Sequence, residues 1–257
     1  MITRRAIIII PARLHSTRLP QKMLFDLLGV PLVVRTYRQA IQSKLAEDVI
    51  IACDDKSILK TVEKFNCKAI LTPKSLKSGS DRLAFATRKL NLKQEVIVNV
   101  QGDEPLIDPR SIDFAIHPML TMDMMPDCTT LYTPFFSYSK EYKDSNTVKC
   151  VIRRDGYALY FSRSPLPFFR TGIGELTQKE TAFRHIGLYA YKRETLLEFT
   201  RLKPSRLEMA ESLEQLRLLE NGFKIFCVKT PYPSQAVDTL NDAQKVLKIL
   251  KAKKEKR

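Results

Sequence analysis

The chain has 257 residues, 44% of them hydrophobic, enough to bury a full core and about the size of one large α/β domain or two small ones. Its 43 Lys and Arg against 28 Asp and Glu leave a net charge of +15, a balance that suits nucleic acid, acidic membranes or small phosphorylated ligands. No apolar stretch nears the ~20 residues of a membrane span. The run after Arg4 and Arg5 is ended by Pro11 and Arg13, too early for a secretory leader, so a soluble cytoplasmic protein is expected.

The first half alternates short apolar runs with helix-spaced segments. AIIIIPA (6–12) is a continuous β-branched run, the signature of a strand buried on both faces of a parallel sheet. Residues 30–43 carry Val30, Val33, Val34, Tyr37 and Ile41 at helical spacing. DVIIAC (48–53), CKAILT (67–72) and EVIVNV (95–100) read as the next strands, with helices expected over 56–65 and 81–90. This β-α-β-α rhythm predicts a doubly wound, mostly parallel α/β sheet, whose ligands bind at the carboxyl ends of the strands.

The rhythm then changes. Two alternating runs in 148–162 flank Asp155-Gly156, which predicts a hairpin closed by a type I′ turn and inserted on the parallel core. HIGLYAY (185–191) and KIFCVK are late strands, one helix is expected over 207–221 ending at Asn221-Gly222, and another over 240–251. Residues 248–257 hold six basic residues and one acidic, a run that reads as a solvated helix end rather than a nucleic-acid contact. The five cysteines are odd in number, widely spaced and without a CxxC pair, which argues against a disulfide framework or a zinc site. Glycine is rare, 8 in the whole chain. Gly79 and Gly102 fall in polar loops that follow strands, and Gly172 and Gly174 in a further loop.

Chemistry-bearing residues cluster after the predicted strands. PARLHSTRLPQK (11–22) places Arg13, Arg18 and Lys22 with two hydroxyls on one loop, a composition suited to a polyphosphate but without a Walker A pattern. Gln101-Gly102-Asp103-Glu104-Pro105 puts a carboxylate at a strand end, where it can hold a metal or a base, or serve as a turn that caps the helix starting near Pro109. Ser78-Gly79-Ser80-Asp81-Arg82 opens a helix, with Ser80 or Asp81 as its cap or a phosphate or base at its start. His185 and Tyr189 share a strand face, and Glu208, Glu211, Glu214 and Gln215 fall on one predicted helix. Asp238 either binds a ligand or caps the last helix.

Taken in order, PARxxSTRLPxK, SGSDR, NVQGDEPLI, GYALYFSR, RHIGLYAY, ESLEQLRLLENG and VDT resemble the 3-deoxy-manno-octulosonate (Kdo) cytidylyltransferases over about Ile7 to Asp242. The resemblance implies a single nucleotidyltransferase domain over 1–257, with an inserted hairpin and interface segment at about 130–192. It implies a Mg²⁺-dependent homodimer that transfers CMP from CTP to the anomeric hydroxyl of Kdo for lipopolysaccharide biosynthesis, with 8-amino-Kdo as the alternative acceptor. By the same resemblance Pro11, Ala12, Arg13, Ser16, Arg18 and Lys22 would hold the nucleotide and its phosphates. Ser78, Asp81, Arg82 and Gln101 would lie near the cytidine, and Asp103 and Asp238 would bind the metal. Gln101, Arg163, His185, Tyr189, Glu214 and Gln215 would surround the sugar acid. The family usually has Gly where this chain has Gln21, so the loop before Lys22 is expected to avoid positive φ.

Overall fold

The computed structural model describes residues 4–135, 140–170, 181–232 and 234–255. They divide into two compact units, Met1–Asp113 with Tyr232–Arg257, and Phe114–Pro231. Gly172 and Gly174 lie outside the described residues.

The first unit is built on parallel strands in the order β3-β2-β1-β4: β1 (Ala6–Ala12), β2 (Ala46–Cys53), β3 (Ala69–Leu71) and β4 (Val96–Asn99). β1 is central, and all seven of its residues are buried. Each of its four isoleucines contributes roughly 1.5–3 kcal/mol by leaving water. Three helices alternate with these strands: α1 (Leu32–Ala40), α2 (Lys56–Glu63) and α3 (Gly79–Lys89). The order steps outward from β1 to β3 and then reverses to β4 on the other side of β1. Right-handed crossovers then put α3 on the opposite face from α1 and α2, which is the expected doubly wound arrangement. The reversal between β1 and β4 opens a crevice at their carboxyl ends. α4 (Pro109–Thr121) leads out of the unit.

The second unit centres on β5 (Cys128–Pro134), followed by α5 (Lys140–Lys143). A hairpin comes next, β6 (Lys149–Ile152) against β7 (Ala158–Ser162). Then come β8 (Phe183–Lys192), α6 (Arg193–Phe199), α7 (Arg206–Glu211), α8 (Gln215–Glu220) and β9 (Ile225–Lys229). β5 lies between antiparallel β8 and parallel β9, and β6 pairs with β8. A last helix, α9 (Leu240–Glu255), returns to the first unit.

Two local expectations are corrected here. The hairpin forms, but Asp155 does not take the positive φ that a type I′ turn demands; among the described residues of this turn only Gly156 does, at 87°. Gly156 N donates to Arg153 O at 3.0 Å and Arg153 N to Tyr157 O at 2.8 Å, so a type I turn followed by a left-handed glycine closes it. The helix expected over 207–221 is two. Ser212 enters the left-handed region (φ 51°, ψ 49°) and ends α7, so Glu208 and Glu211 do not share a helix with Glu214 and Gln215. All five cysteines are buried and free, as their spacing implied.

Candidate active site

The crevice of the first unit is a cavity of about 660 Å³. Three loops line it, each following a strand of the sheet. The end of β1 supplies Pro11, and the loop after it supplies Arg13, His15, Ser16, Arg18 and Lys22. The segment before α3 supplies Lys77 and Ser78, the first residue of α3 is Gly79, and the loop after β4 supplies Gln101, Gly102 and Asp103. Asp238 enters from the residues just ahead of α9. Four cations, Arg13, Arg18, Lys22 and Lys77, thus face two carboxylates, a surplus of positive charge suited to a polyphosphate.

Lys22 organises the centre of this crevice. Its Nζ donates to Asp103 Oδ2 at 2.6 Å and to Asp238 Oδ1 at 2.9 Å, and Arg18 Nη2 stands 3.0 Å from the same Asp238 oxygen. Burial alone would lower the Lys22 pKa, but the charge and hydrogen bond of Asp103, joined by those of Asp238, raise it above its ordinary value. The loop reaches this geometry through Gln21, whose φ of 51° and ψ of 34° are left-handed. The expectation that a side chain at Gln21 keeps the backbone out of positive φ is therefore overturned. Hydrogen bonds from Lys22 N to Leu19 O (3.1 Å) and from Leu24 N to Gln21 O (2.8 Å) hold the turn against a conformational cost of roughly 1–2 kcal/mol.

The two carboxylates converge on one point that already holds a positive charge, and both offer hard oxygen donors, as Mg²⁺ prefers. Among the described residues no group of three or more His, Cys, Asp or Glu could hold a metal unaided. A magnesium ion carried by Asp103 and Asp238 would therefore complete its shell with phosphate oxygens and water, its usual habit.

The competing structural roles fall to other residues. Ser78, not Ser80 or Asp81, caps α3: its hydroxyl accepts from Asp81 N and the Asp81 carboxylate accepts from Ser78 N, each at 3.0 Å. Asp81 thus serves this capping box and does not line the crevice. Asp238 does not cap α9; Thr239 and Asp242 form that cap reciprocally. Asp108, not Asp103, binds the backbone at the start of α4 through Arg110 N. Ala12 is buried in β1, and Arg82 is buried and turned away from the cavity toward Asp54, Thr72 and Pro73. Lys77 and Thr17 line the crevice without having been singled out as ligands. The signal for Lys77 was its place one residue ahead of the SGSDR helix start.

Of the residues assigned to the sugar acid, Gln101 is in the first unit and the others are in the second. There His185 and Tyr189 are in ring contact, with centroids 5.5 Å apart, although two extra residues of β8 interrupt its pairing with β5 between them. Gln215 is buried at the start of α8, with Glu214 just before it. Arg163 spends its guanidinium on backbone: Nε donates to Glu211 O (2.7 Å), Nη1 to Ser145 O (3.0 Å) and Nη2 to Ser212 O (3.3 Å). It thereby pins the turn between α7 and α8.

The His185 imidazole is neutral. Burial pushes its pKa down to about 3. Its Nε2 shares a hydrogen bond with Thr130 Oγ1 at 2.8 Å, and the same hydroxyl stands 2.9 Å from Leu188 O and 3.3 Å from Ile186 O. A hydrogen-bonding role is open to it and a cationic one is not. Because the folded pKa lies below the unfolded value near 6.5, the unfolded chain binds more protons across that interval, and stability falls as pH falls through it. From pH 7 to pH 5 the protein is expected to lose about 2 kcal/mol more than His185→Gln does, read from urea midpoints at the two pH values. Equal losses would contradict the neutral assignment.

With this geometry in hand, comparison with known proteins is decisive. The cytidylyltransferase family model matches residues 7–225. The 3-deoxy-manno-octulosonate cytidylyltransferase of Chloroherpeton thalassium is 54% identical over 250 residues, 97% of this chain and 99% of the relative. That of Chlorobium limicola is 47% identical over 247 residues, 96% of this chain and 97% of the relative. This chain belongs to the 3-deoxy-manno-octulosonate cytidylyltransferase family. A solved CMP:2-keto-3-deoxy-manno-octonic acid synthetase in complex with CTP superposes on it with a TM-score of 0.89 at 36% identity, covering 97% of this chain and 99% of that one. A 4-diphosphocytidyl-2C-methyl-D-erythritol synthase from Anaerococcus prevotii, 14% identical with a TM-score of 0.63, shares the fold of this cytidylyltransferase.

Proposed function

We propose that this cytidylyltransferase transfers CMP from CTP to the anomeric hydroxyl of Kdo and releases pyrophosphate, with Mg²⁺ as its metal. The observation that carries the reading is the crevice at the strand-order reversal, where Arg13, Arg18, Lys22 and Lys77 surround the Asp103–Asp238 pair. The names of the full-length relatives and the CTP complex of the similar structure support the same nucleotide and acceptor.

The reaction is an in-line displacement at the α-phosphorus. The sugar oxygen forms the new bond to phosphorus and its proton passes to solvent, while the bond to the bridging oxygen breaks and its electron pair leaves with pyrophosphate. Such a step depends on positioning and on neutralising oxygen charge. Arg13 and Arg18 would hold the triphosphate by charge-assisted hydrogen bonds. Lys22, freed from the two carboxylates, would place its ammonium against the phosphate oxygens. Asp103 and Asp238 would carry the metal, which would polarise the phosphoryl group and lower the pKa of the attacking hydroxyl. No covalent enzyme intermediate enters this scheme.

Among the described residues no helix is long and apolar enough to cross a membrane. The reading keeps the homodimer that the family resemblance implies. The reading is tested by phosphorus NMR of a mixture of protein, CTP, Kdo and Mg²⁺. A single new phosphodiester resonance accompanied by free pyrophosphate is expected, and loss of CTP to CDP or CMP alone would overturn it.

A further inference from the structure

We propose that Asp54, with Arg82 as its buried counter-ion, is a positioning residue that sets the placement of the phosphate-binding loop. The inference deepens the reading of the crevice as a CTP site and rests on it.

Asp54 follows directly on β2 and touches the loop after β1 on both sides of Arg13. Its backbone N donates to Ala12 O at 3.2 Å, and its Oδ1 accepts from Leu14 N at 2.9 Å. The backbone of Arg13 is therefore gripped one residue before and one residue after. Its guanidinium is left to face the crevice, where it donates to Lys77 O.

The second carboxylate oxygen ties in the opposite wall. Asp54 Oδ2 accepts from Arg82 Nη2 at 3.1 Å, and Arg82 is only 1% exposed. Arg82 Nη1 donates to Thr72 Oγ1 at 2.6 Å and to Pro73 O at 3.2 Å, and Nη2 reaches Leu76 O at 3.4 Å. Thr72 returns the connection to β2, donating from N and from Oγ1 to Cys53 O at 2.7 and 3.0 Å. One ion pair thus joins the ends of β1, β2 and β3, the elements that deliver Arg13 and Lys77 to the crevice.

A smaller hollow of about 190 Å³ adjoins the crevice at Arg13 and His15 and is lined by Leu14, Asp54, Lys74 and Arg82, so this stretch of the loop is not tightly packed there. The hydrogen bonds of Asp54 therefore matter to where the loop sits, and a shift of about 1 Å in a phosphate-binding group can cost on the order of 100-fold in function.

The test uses the double variant D54N/R82Q, which removes both charges together and leaves neither buried alone. A second variant, Asp54→Glu, keeps the pair but lengthens its reach to Leu14 by one methylene. CTP affinity is measured by calorimetry, KM for CTP and for Kdo by initial rates, and folding by urea midpoint. In whichever variant retains a wild-type-like urea transition, Kd and KM for CTP are expected to rise about 10-fold or more while KM for Kdo stays within about twofold. CTP affinity unchanged in a folded variant would overturn the inference, as would equal increases in both KM values, the mark of a general structural loss. Failure of the wild-type protein itself to bind CTP would instead overturn the reading of the crevice, and this inference with it.

Discussion

Asp103→Asn is expected to lower turnover by about three orders of magnitude while the protein remains folded. The substitution keeps the side chain's size and an acceptor oxygen 2.6 Å from Lys22 Nζ but removes the charge. Lys22 still has Asp238 at 2.9 Å, so no buried ammonium is stranded and the urea midpoint should move little. Under the proposed mechanism the metal loses one of its two protein carboxylates at the centre of the reaction. Charge stabilisation of several kcal/mol there corresponds to roughly 10³-fold in rate. Initial rates at saturating CTP and metal, with circular dichroism as the folding control, measure both halves of the expectation. Wild-type turnover would remove Asp103 from the metal assignment.

Gly102→Ala is expected to damage the same site by steric means. A Cβ on Gly102 would stand 2.8 Å from Pro11 O and 2.9 Å from Met23 Sδ. The Met23 side chain can move, but Pro11 O is backbone at the end of the central strand. Gly102 cannot retreat freely either, because its own carbonyl accepts from the buried Thr36 hydroxyl at 2.9 Å. Relief must come from moving the loop after β1 or the one after β4, which carry Arg13, Lys22, Gln101 and Asp103. A stability loss of about 1–3 kcal/mol is expected from the overpacking, with a fall in kcat/KM of roughly 100-fold from displaced ligands. Urea denaturation and steady-state rates on one preparation check the two together. Unchanged kcat/KM would mean that the contact of these loops does not set the site.

What was legible in the sequence follows from how each element is stabilised. β1, β4 and the second half of β2 are buried on both faces, so they appear as continuous apolar runs, and the polar residues that end those runs mark the loops of the crevice, whereas β3 at the sheet edge is only partly buried and leaves Leu71 exposed. β5 was not foreseen. Its core is Thr129, Thr130 and Thr133 around Leu131 and Tyr132, a pattern whose hydroxyls dilute the apolar signal until partners such as Ala115 O and Leu188 O satisfy them. The break at Ser212 and the turn at Gln21 were hidden for a different reason. Both put non-glycine residues at positive φ, a cost met by hydrogen bonds that only the folded chain provides. The direction in which Arg82 points was equally unreadable. Its position at the start of α3 is compatible with a ligand contact, and the partners that turn it inward, Asp54, Thr72 and Pro73, come from other segments of the chain. Lys22 as a bridge between Asp103 and Asp238 joins residues remote in the chain, which no local pattern encodes.

The most direct measurement is pyrophosphate release by the purified protein with CTP and Mg²⁺, with and without Kdo, and with EDTA as control. Release that requires both Kdo and the metal is the predicted result. Release independent of Kdo, or undiminished by EDTA, would contradict the proposed transfer.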